Sequence, residues 1–473
     1  MIIKIFNTLS RKEEVLTTLE PEHLRMYVCG PTVYDRPHLG NARSAVVYDL
    51  FYRFFRRVYP RVTYVRNITD VDDKINLAAR ERKIMISELT REITKVFHQD
   101  MDALNVLRPT IEPRATEHIP DMIVMIEELI KTGHAYVNDG HVLFDVKSCK
   151  DYGALSRRSL DEMIAGSRVE VASYKKDPLD FVLWKPANAE DDASSIFESP
   201  WGSGRPGWHI ECSAMSSKYL GADFDVHGGG ADLQFPHHEN EIAQSRCANA
   251  SSHYARFWIH NGFLTVNGEK MSKSLKNFIT VRDLLDKNID GIAIRYLLLA
   301  THYRKPFDYN QKTLDDAKKS IEKFYAIFDE NDLLQYRANP SLTLETSHLM
   351  QNILRDLAED LNAAKVLALL HAEVSEIKLE NNRKLKYDFI VALDFLGLLD
   401  DQFFSKRSNN SNIDENHIIE QIALRAHAKT NKDWALADKI RNDLLAQNIA
   451  LEDVSGVDES GAKIIKTIWR IVK

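Results

Sequence analysis

The first hundred residues alternate strand signal with helix signal, and few folds accommodate that order. The run "RMYVCG" (Arg25–Gly30) is short, apolar and stopped by Gly-Pro, followed by the loop "PTVYDRP". In "HLGNARSAVVYDLFYRFFRR" the residues Leu39, Ala42, Val46, Leu50, Phe54 and Val58 recur at helical spacing. "RVTYVRN", rich in β-branched and aromatic residues, predicts a second strand, and "ITDVDDKINLAARERK" gives an acidic start to a second helix. Strand, helix, strand, helix is the pattern of a parallel sheet with crossover helices.

The pattern loosens from Pro109 to Pro200. That stretch holds a helix ("IPDMIVMIEELIKTG"), short strands ("AYVND", "HVLFDV") and the polar "KPANAEDDASSIFESP", and reads as an insertion in the α/β domain. Strand signals resume at "DFDVHGGG" and "FWIHNGFLTV"; beyond Asp308 the apolar spacing turns helical, with a bundle core as its default meaning. "FSKRSNNSNIDEN" is a polar linker candidate, and a small unit ending in "KIIKTIWRIVK" follows. With 44% hydrophobic residues, the chain has ample material for ordinary cores. Its start shows no basic segment followed by an apolar run, and nothing approaches a membrane-spanning length, so a soluble, cytoplasmic protein is expected. The net charge of −7 argues against a protein coated by nucleic acid while leaving local basic surfaces open. Cys29, Cys149, Cys212 and Cys247 form no C-x-x-C pair, so each is a buried thiol, a metal ligand or a nucleophile.

Two stretches suit a triphosphate. In "PHLGNAR" (Pro37 to Arg43) a strand-to-helix junction offers unpaired N–H groups; His38 adds a donor and Gly40 allows close approach. Alone, this reads first as a helix-capping turn. In "GEKMSKSLKN" (Gly268 to Asn277), Lys270 and Lys273 supply mobile point charges for phosphate that gains charge during reaction. A third stretch, "FPHHENEIAQ", places His237 and Glu241 on one helical face, although His238 with Glu241 would share a face as well. Spacing leaves a metal site there open against buried thiols and a helix-start glutamate.

"HLGN" and "KMSKS", in that order around an interrupted α/β domain, resemble the two signatures of class I aminoacyl-tRNA synthetases. The stretches "MYVCGPTVYD", "YVRNITDVDDKI", "PRATEHI", "DFVLWKP", "GSGRPGWHIECSAM" and "FDVHGGGADLQFPHHENEIAQS" are similar to the cysteinyl-tRNA synthetase family within that class. The resemblance covers most of the first 310 residues and continues more weakly to the C-terminus. It implies a Rossmann-like catalytic domain in two halves (1–108 and 205–265) around a connective insertion (109–204). A KMSKS and stem-contact region (266–312), a helical bundle (313–405) and a small anticodon-binding unit (406–473) would follow.

The implied reaction joins L-cysteine to ATP as cysteinyl-adenylate, with Mg²⁺ on the ATP, and then transfers cysteine to the 3′ end of tRNA(Cys). By resemblance, one Zn²⁺ per chain is held by Cys29, Cys212, His237 and Glu241 and reads the substrate sulfur. His38, Gly40 and Asn41 hold ATP, and Lys270 and Lys273 stabilise the reacting phosphate. Thr69 faces the amino acid, and Trp208 and His227 line its pocket or simply pack. A monomer is expected. Cys149 and Cys247 are left as ordinary thiols, and the insertion is too short for a separate editing domain.

Two positions depart from the family pattern. Asn41 stands where a second histidine is usual, which puts charge stabilisation there in doubt; Lys276 stands where glycine commonly follows "KMSKSL". Asp70, Asp72 and Asp73 read as helix-capping groups or as a Mg²⁺ site. The tail residues Lys463, Lys466, Trp469, Arg470 and Lys473 suit RNA phosphates and a stacked base, or a docked amphipathic end. Two other functions compete: a cysteine ligase using a small amine, and a non-catalytic RNA-binding paralogue. The length beyond Asp308 counts against the first, and intact His38, Lys270, Lys273 and metal positions count against the second.

Overall fold

The apolar run of residues 23–28 cannot stand alone, and in the computed structural model it becomes the inner strand of a parallel sheet. Strand β1 (His23–Val28) pairs in parallel with β2 (Arg61–Arg66) on one side and β3 (Phe224–Gly230) on the other, and β4 (Ala255–Asn261) adds in parallel beyond β3. Helix α1 (Leu39–Val58) makes the crossover from β1 to β2 and buries Leu39, Ala42, Val46, Leu50 and Phe54. The structure describes residues 1–158, 172–188, 191–250, 252–272, 275, 277–338, 347–380, 382–410, 415–431, 433–446, 449–457 and 463–471.

From β1 the chain first builds outward to β2 and later returns on the opposite side with β3 and β4. The strand order therefore reverses at β1/β3, the point where open α/β sheets bind ligands beyond the strand carboxyl ends. Helices α2 (Trp208–Leu220) and α3 (His237–Ala248) flank that point. At the outer edge Thr8, beyond the strand Lys4–Asn7, donates its N–H to Trp258 O of β4 at 2.8 Å.

The insertion is an antiparallel sheet in the order Ala135–Asn138, His141–Phe144, Phe181–Pro186, Gly204–Pro206, with the helix Ile119–Lys131 before it. It shares one apolar core with the parallel sheet: Val142, Phe144, Leu183 and Trp184 pack in the same cluster as Tyr27, Cys212 and Trp258. Helices Gln311–Tyr325, Glu330–Ala338, His348–Leu357, Ala363–Glu380 and Arg383–Phe395 follow. They are tied back by buried Arg295, which donates to Leu396 O at 2.7 Å and Leu104 O at 3.1 Å and pairs with Asp49 of α1. Among the described residues no helix is long and apolar enough to cross a membrane.

The chain divides into two compact units, Met1–Leu399 and Asp400–Lys473. In the second, part of the polar linker candidate is helical, since a helix spans Phe403–Asn410 with Phe403 buried at its start; residues 411–414 lie outside the described set. Helices Glu415–Thr430 and Trp434–Ala446 pack with an antiparallel hairpin, Ile449–Val457 with Lys463–Ile471. The Trp469 ring packs on its core of Ile418, Ile440, Leu444 and Ile449, as a docked amphipathic end would. Asp453, bonded to Arg425, Lys429 and Thr467, ties helix to hairpin.

Candidate functional site

Cys29 follows β1 directly, at the strand-order reversal, and its N–H lies 3.3 Å from Gly228 O of β3. Gly30 must be glycine for steric reasons: a Cβ there would fall 1.5 Å from Asn67 O. Cys212 lies on the inner face of α2, while His237 and Glu241 occupy the first turns of α3. Three separate stretches thus deliver two sulfurs, an imidazole and a carboxylate whose ligand atoms all lie within 4.8 Å of one another. The sulfurs are 3.7 Å apart, Cys29 Sγ is 3.3 Å from Glu241 Oε1, and His237 Nε2 is 3.1 Å from the same oxygen.

These residues fit a soft divalent ion. Tetrahedral zinc at Zn–S of about 2.3 Å separates two sulfurs by about 3.8 Å, close to the spacing seen and far from a disulfide. His237 Nε2 is fully buried without a hydrogen-bond partner, since its 3.1 Å approach to Glu241 lacks hydrogen-bond alignment. Its Nδ1 meanwhile lies 2.9 Å from His209 Nδ1. An imidazole held at one nitrogen and bare at the other is poised for a metal. Glu241 divides its labour similarly: Oε2 contacts His227 Nε2 and Tyr254 Oη, each at 2.9 Å, leaving Oε1 turned to the sulfurs.

A second set, Cys29, His227, His238 and Glu241, also converges. There His227 already contacts Glu241 Oε2 through Nε2, and His238 Nε2 lies 3.4 Å from Cys29 Sγ. His238 Nδ1 lies 2.8 Å from His260 Nε2, whose Nδ1 reaches Thr8 Oγ1 at 2.9 Å. Burial pushes the Cys29 thiol well above its usual range, and it raises Cys212 although the Cys29 contact pulls that thiol down. Burial lowers His209 to about 4 and His227 to about 3 and holds His237 far below the usual imidazole range. The imidazoles are thus neutral, as metal ligation requires.

The remaining candidates divide between this cluster and the start of α1. Trp208 is partly exposed and stacks on the His237 ring at 4.1 Å, so it covers the open side of that ligand. His227 is fully buried beneath the cluster, stacked on Trp258 at 4.4 Å, where it braces Glu241. Thr69 is also buried; its hydroxyl donates to Glu211 Oε2 at 3.1 Å and receives Asn67 Nδ2 at 3.0 Å. The three aspartates are engaged as capping and bracing groups. Asp72 caps the helix Asp73–Arg82, Asp73 pairs with Lys185 and Arg205, and Asp70 accepts from Thr116.

At α1, His38 is the N-cap. Its Nδ1 accepts the Asn41 N–H and Asn41 Oδ1 accepts the His38 N–H, each at 3.1 Å, a reciprocal capping box. The amide that departs from the family pattern therefore has a local task. Gly40 makes room for the folded-back ring, since a Cβ would lie 2.9 Å from His38 Nδ1. The segment that follows "KMSKSLKN" returns to the same place: Leu39 N–H donates to Ile279 O at 3.0 Å and the His38 ring meets Phe278 edge-on. Lys270 is exposed on the strand Glu269–Lys270, whereas Lys273 and Lys276 lie outside the described residues.

Several contributors escaped the sequence reading. Asn277 organises the lysine loop, accepting Ser272 N–H at 2.8 Å and donating to Lys270 O at 3.2 Å; its place inside the quoted motif was the available signal. Arg43, fully buried, donates to the carbonyls of Gly262, Phe263, Tyr303 and Lys305 and so fixes the chain entering that loop. His209 and Tyr254 brace the candidate ligands His237 and Glu241, and His260 braces the neighbouring His238; nothing in their spacing marked them.

Residues 15–319 match the family model of the tRNA synthetases class I (C) catalytic domain. The chain is 51% identical over 486 residues to a cysteine–tRNA ligase of Orientia tsutsugamushi (strain Ikeda), covering 100% of each chain. It is 50% identical over 476 residues to a cysteine–tRNA ligase of Rickettsia prowazekii (strain Madrid E), covering 99% of this chain and 100% of that one. Among solved structures, Mycobacterium tuberculosis methionyl-tRNA synthetase with methionyl-adenylate aligns with a TM-score of 0.52 at 15% identity, over 80% of this chain and 90% of the other. A putative arginyl-tRNA synthetase of Campylobacter jejuni aligns with a TM-score of 0.52 at 14% identity, over 80% and 93%. At such identities the likeness is one of fold, and it agrees with the parallel sheet and its "HLGN" and "KMSKS" ends. The fold and the family model together define a class I tRNA synthetase. Within that class, the full-length identities place the chain in the cysteine–tRNA ligase family.

Proposed function

We propose that the chain activates L-cysteine with ATP to cysteinyl-adenylate and pyrophosphate and then transfers the cysteinyl group to the 3′ end of tRNA(Cys). The observation that carries this reading is the convergence of Cys29, Cys212, His237 and Glu241 at the sheet's strand-order reversal, on the same sheet edge that leads into α1. Those four residues would hold one zinc ion. When bound, the ion supplies a soft Lewis acid that favours a thiolate over a hydroxyl, a distinction that a hydrophobic pocket makes by only roughly 1–3 kcal/mol between near-isosteres.

The chain's own groups supply the rest. His227 and Tyr254 keep one Glu241 oxygen occupied so that the other stays aimed at the sulfurs. Trp208 shields His237 from water. The reaction needs no side-chain nucleophile, because the cysteine carboxylate attacks the α-phosphate of Mg-ATP; catalysis is then positioning and charge stabilisation. His38 and the α1 start at Gly40 and Asn41 would hold ATP, and Lys270 and Lys273 would neutralise the phosphates as charge shifts to pyrophosphate. The region from 313 onward would serve the anticodon side, with the unit after 405 completing it. The same reading makes the enzyme a cytoplasmic monomer.

The test is charging of tRNA(Cys) with labelled cysteine by zinc-loaded protein and ATP, with serine as competitor. Cysteine-dependent charging that serine leaves unchanged is expected. Cysteine-dependent pyrophosphate exchange without charging would point to a small-amine acceptor, and neither activity would overturn the ligase reading.

A further inference from the structure

Glu211 has no role in the function proposed above, yet it is only 1% exposed and stands one residue before Cys212. On α2 it follows Trp208 by three residues and Cys212 follows Trp208 by four, so the three share one helix face. Glu211 Oε2 accepts the Thr69 hydroxyl at 3.1 Å, and among the described residues no hydrogen bond or ion pair reaches Oε1. The charged groups acting on it, Asp72 and Asp70, are themselves negative. A carboxylate this deep needs a compensating partner, and among the described residues no side chain supplies the cation. Asn67 measures how close this corner lies to the sulfurs. Its Oδ1 accepts the Gly30 N–H at 2.8 Å and lies 3.8 Å from Cys212 Sγ, while its Nδ2 donates to Thr69 Oγ1 at 3.0 Å. A single side-chain amide therefore bridges from the Cys212 sulfur to the Thr69–Glu211 pair. Cysteine carries its thiol and its amine on adjacent carbons and spans a similar gap. The Thr69 proton is committed to Glu211, so its hydroxyl meets a substrate as an acceptor.

We propose that Glu211 is the counter-ion of the substrate's α-ammonium group, with Thr69 as a second acceptor, so that the site demands a free amine as well as a thiol. This rests on the reading that the site takes cysteine. The ammonium supplies the positive charge and the hydrogen-bond donors that Glu211 Oε1 and the Thr69 oxygen lack, and no covalent bond is made or broken in this step. Serine carries the same ammonium, so this contact cannot tell sulfur from oxygen. It orients the amino acid and excludes thiols whose amine is missing or acylated, because such a ligand leaves the buried carboxylate unpaired.

The experiment measures, by calorimetry on zinc-loaded full-length protein, the binding of L-cysteine and of 3-mercaptopropionate, the same thiol acid without the amine. The wild type should bind cysteine about 10–100-fold more tightly. Glu211→Gln should erase that preference by weakening cysteine alone and leaving 3-mercaptopropionate unchanged, whereas a merely structural role would weaken both. A crystal structure of the wild type with zinc and cysteine should place the ammonium nitrogen about 3 Å from Glu211 Oε1. Equal binding of the two thiols by the wild type, equal weakening of both in the variant, unchanged cysteine binding in the variant, or a nitrogen placed away from Glu211 would overturn the proposal. Binding of neither thiol by the wild type would overturn the cysteine reading itself, and this assignment with it. The wild-type structure decides even if the variant fails to fold.

Discussion

The two ends of the site are built from different materials. The candidate ligand cluster is largely buried, and its imidazole and carboxylate are each held by further side chains: His237 by His209, and Glu241 by His227 and Tyr254. The lysine end is built from backbone and exposed charge. The Leu39 N–H to Ile279 O bond ties the start of α1 to the segment after the loop, Asn277 shapes the loop, and Lys270 is exposed. A site that must tell sulfur from oxygen gains from fixed ligands, because discrimination is lost when a ligand can drift. A site that follows charge from one phosphate to the next gains from mobile ammonium groups. On the proposed function, pre-organisation is thus concentrated where sulfur would be told from oxygen.

The largest expected effect breaks the rigid end outright. Cys212→Ser should reduce bound zinc to below about a tenth of an equivalent, measured by metal analysis after dialysis, while ATP binding by calorimetry persists. If ATP binding vanished too, the two ends would not be separable.

Next, Lys270→Ala combined with Lys273→Ala should slow cysteine-dependent pyrophosphate exchange by about 10²–10³-fold with little change in the KM for ATP. An equal loss in both would mean that the lysines serve ground-state binding.

Tyr254→Phe tests the bracing layer. It frees Glu241 Oε2 from one of its two partners, and zinc affinity in competition with a chromophoric chelator should fall about 10–100-fold without loss of folded protein. Unchanged affinity would reduce Tyr254 to packing.

The smallest effect concerns pH. Burial holds His260 neutral, with its folded-state pKa well below the usual imidazole value. Below about pH 6.5 the unfolded chain binds a proton that the folded chain does not, so this group's stability is present above that pH and is lost as pH falls toward the folded value. His260→Asn should flatten the acid side of the stability curve by up to about 1.4 kcal/mol per pH unit, read from denaturant unfolding between pH 7 and 5. An unaltered slope would place the acid sensitivity elsewhere.

The comparison also explains what could be read in advance. The β1–α1–β2 crossover was legible because its signals are local: an apolar run, a helical stripe ending at Val58, then "RVTYVRN". "HLGN" and "KMSKS" were legible as intact words, and the capping alternative for Asp72 was already in view. The role of Asn41 was not, because a capping box is a reciprocal geometry and the sequence shows only an absent histidine. Trp469 offered a stacking aromatic or a docked end; its packing on Ile418 and Ile440 depends on a hairpin register that no local signal fixes.

Taken by itself, the sequence determined the alternation that demands a parallel sheet and the residue types able to bind phosphate or a soft metal. Only the tertiary structure decided which of those residues meet. Cys29, Cys212 and the His237–Glu241 turn come from three separated stretches, and His237 and His238 are equally placed by helical spacing. What distinguishes the two histidines is their surroundings: His209 leaves one nitrogen of His237 bare, while His260 and Thr8 extend a chain behind His238. Periodicity fixes the face of a helix, but the partners across that face are supplied by chain folding over long range.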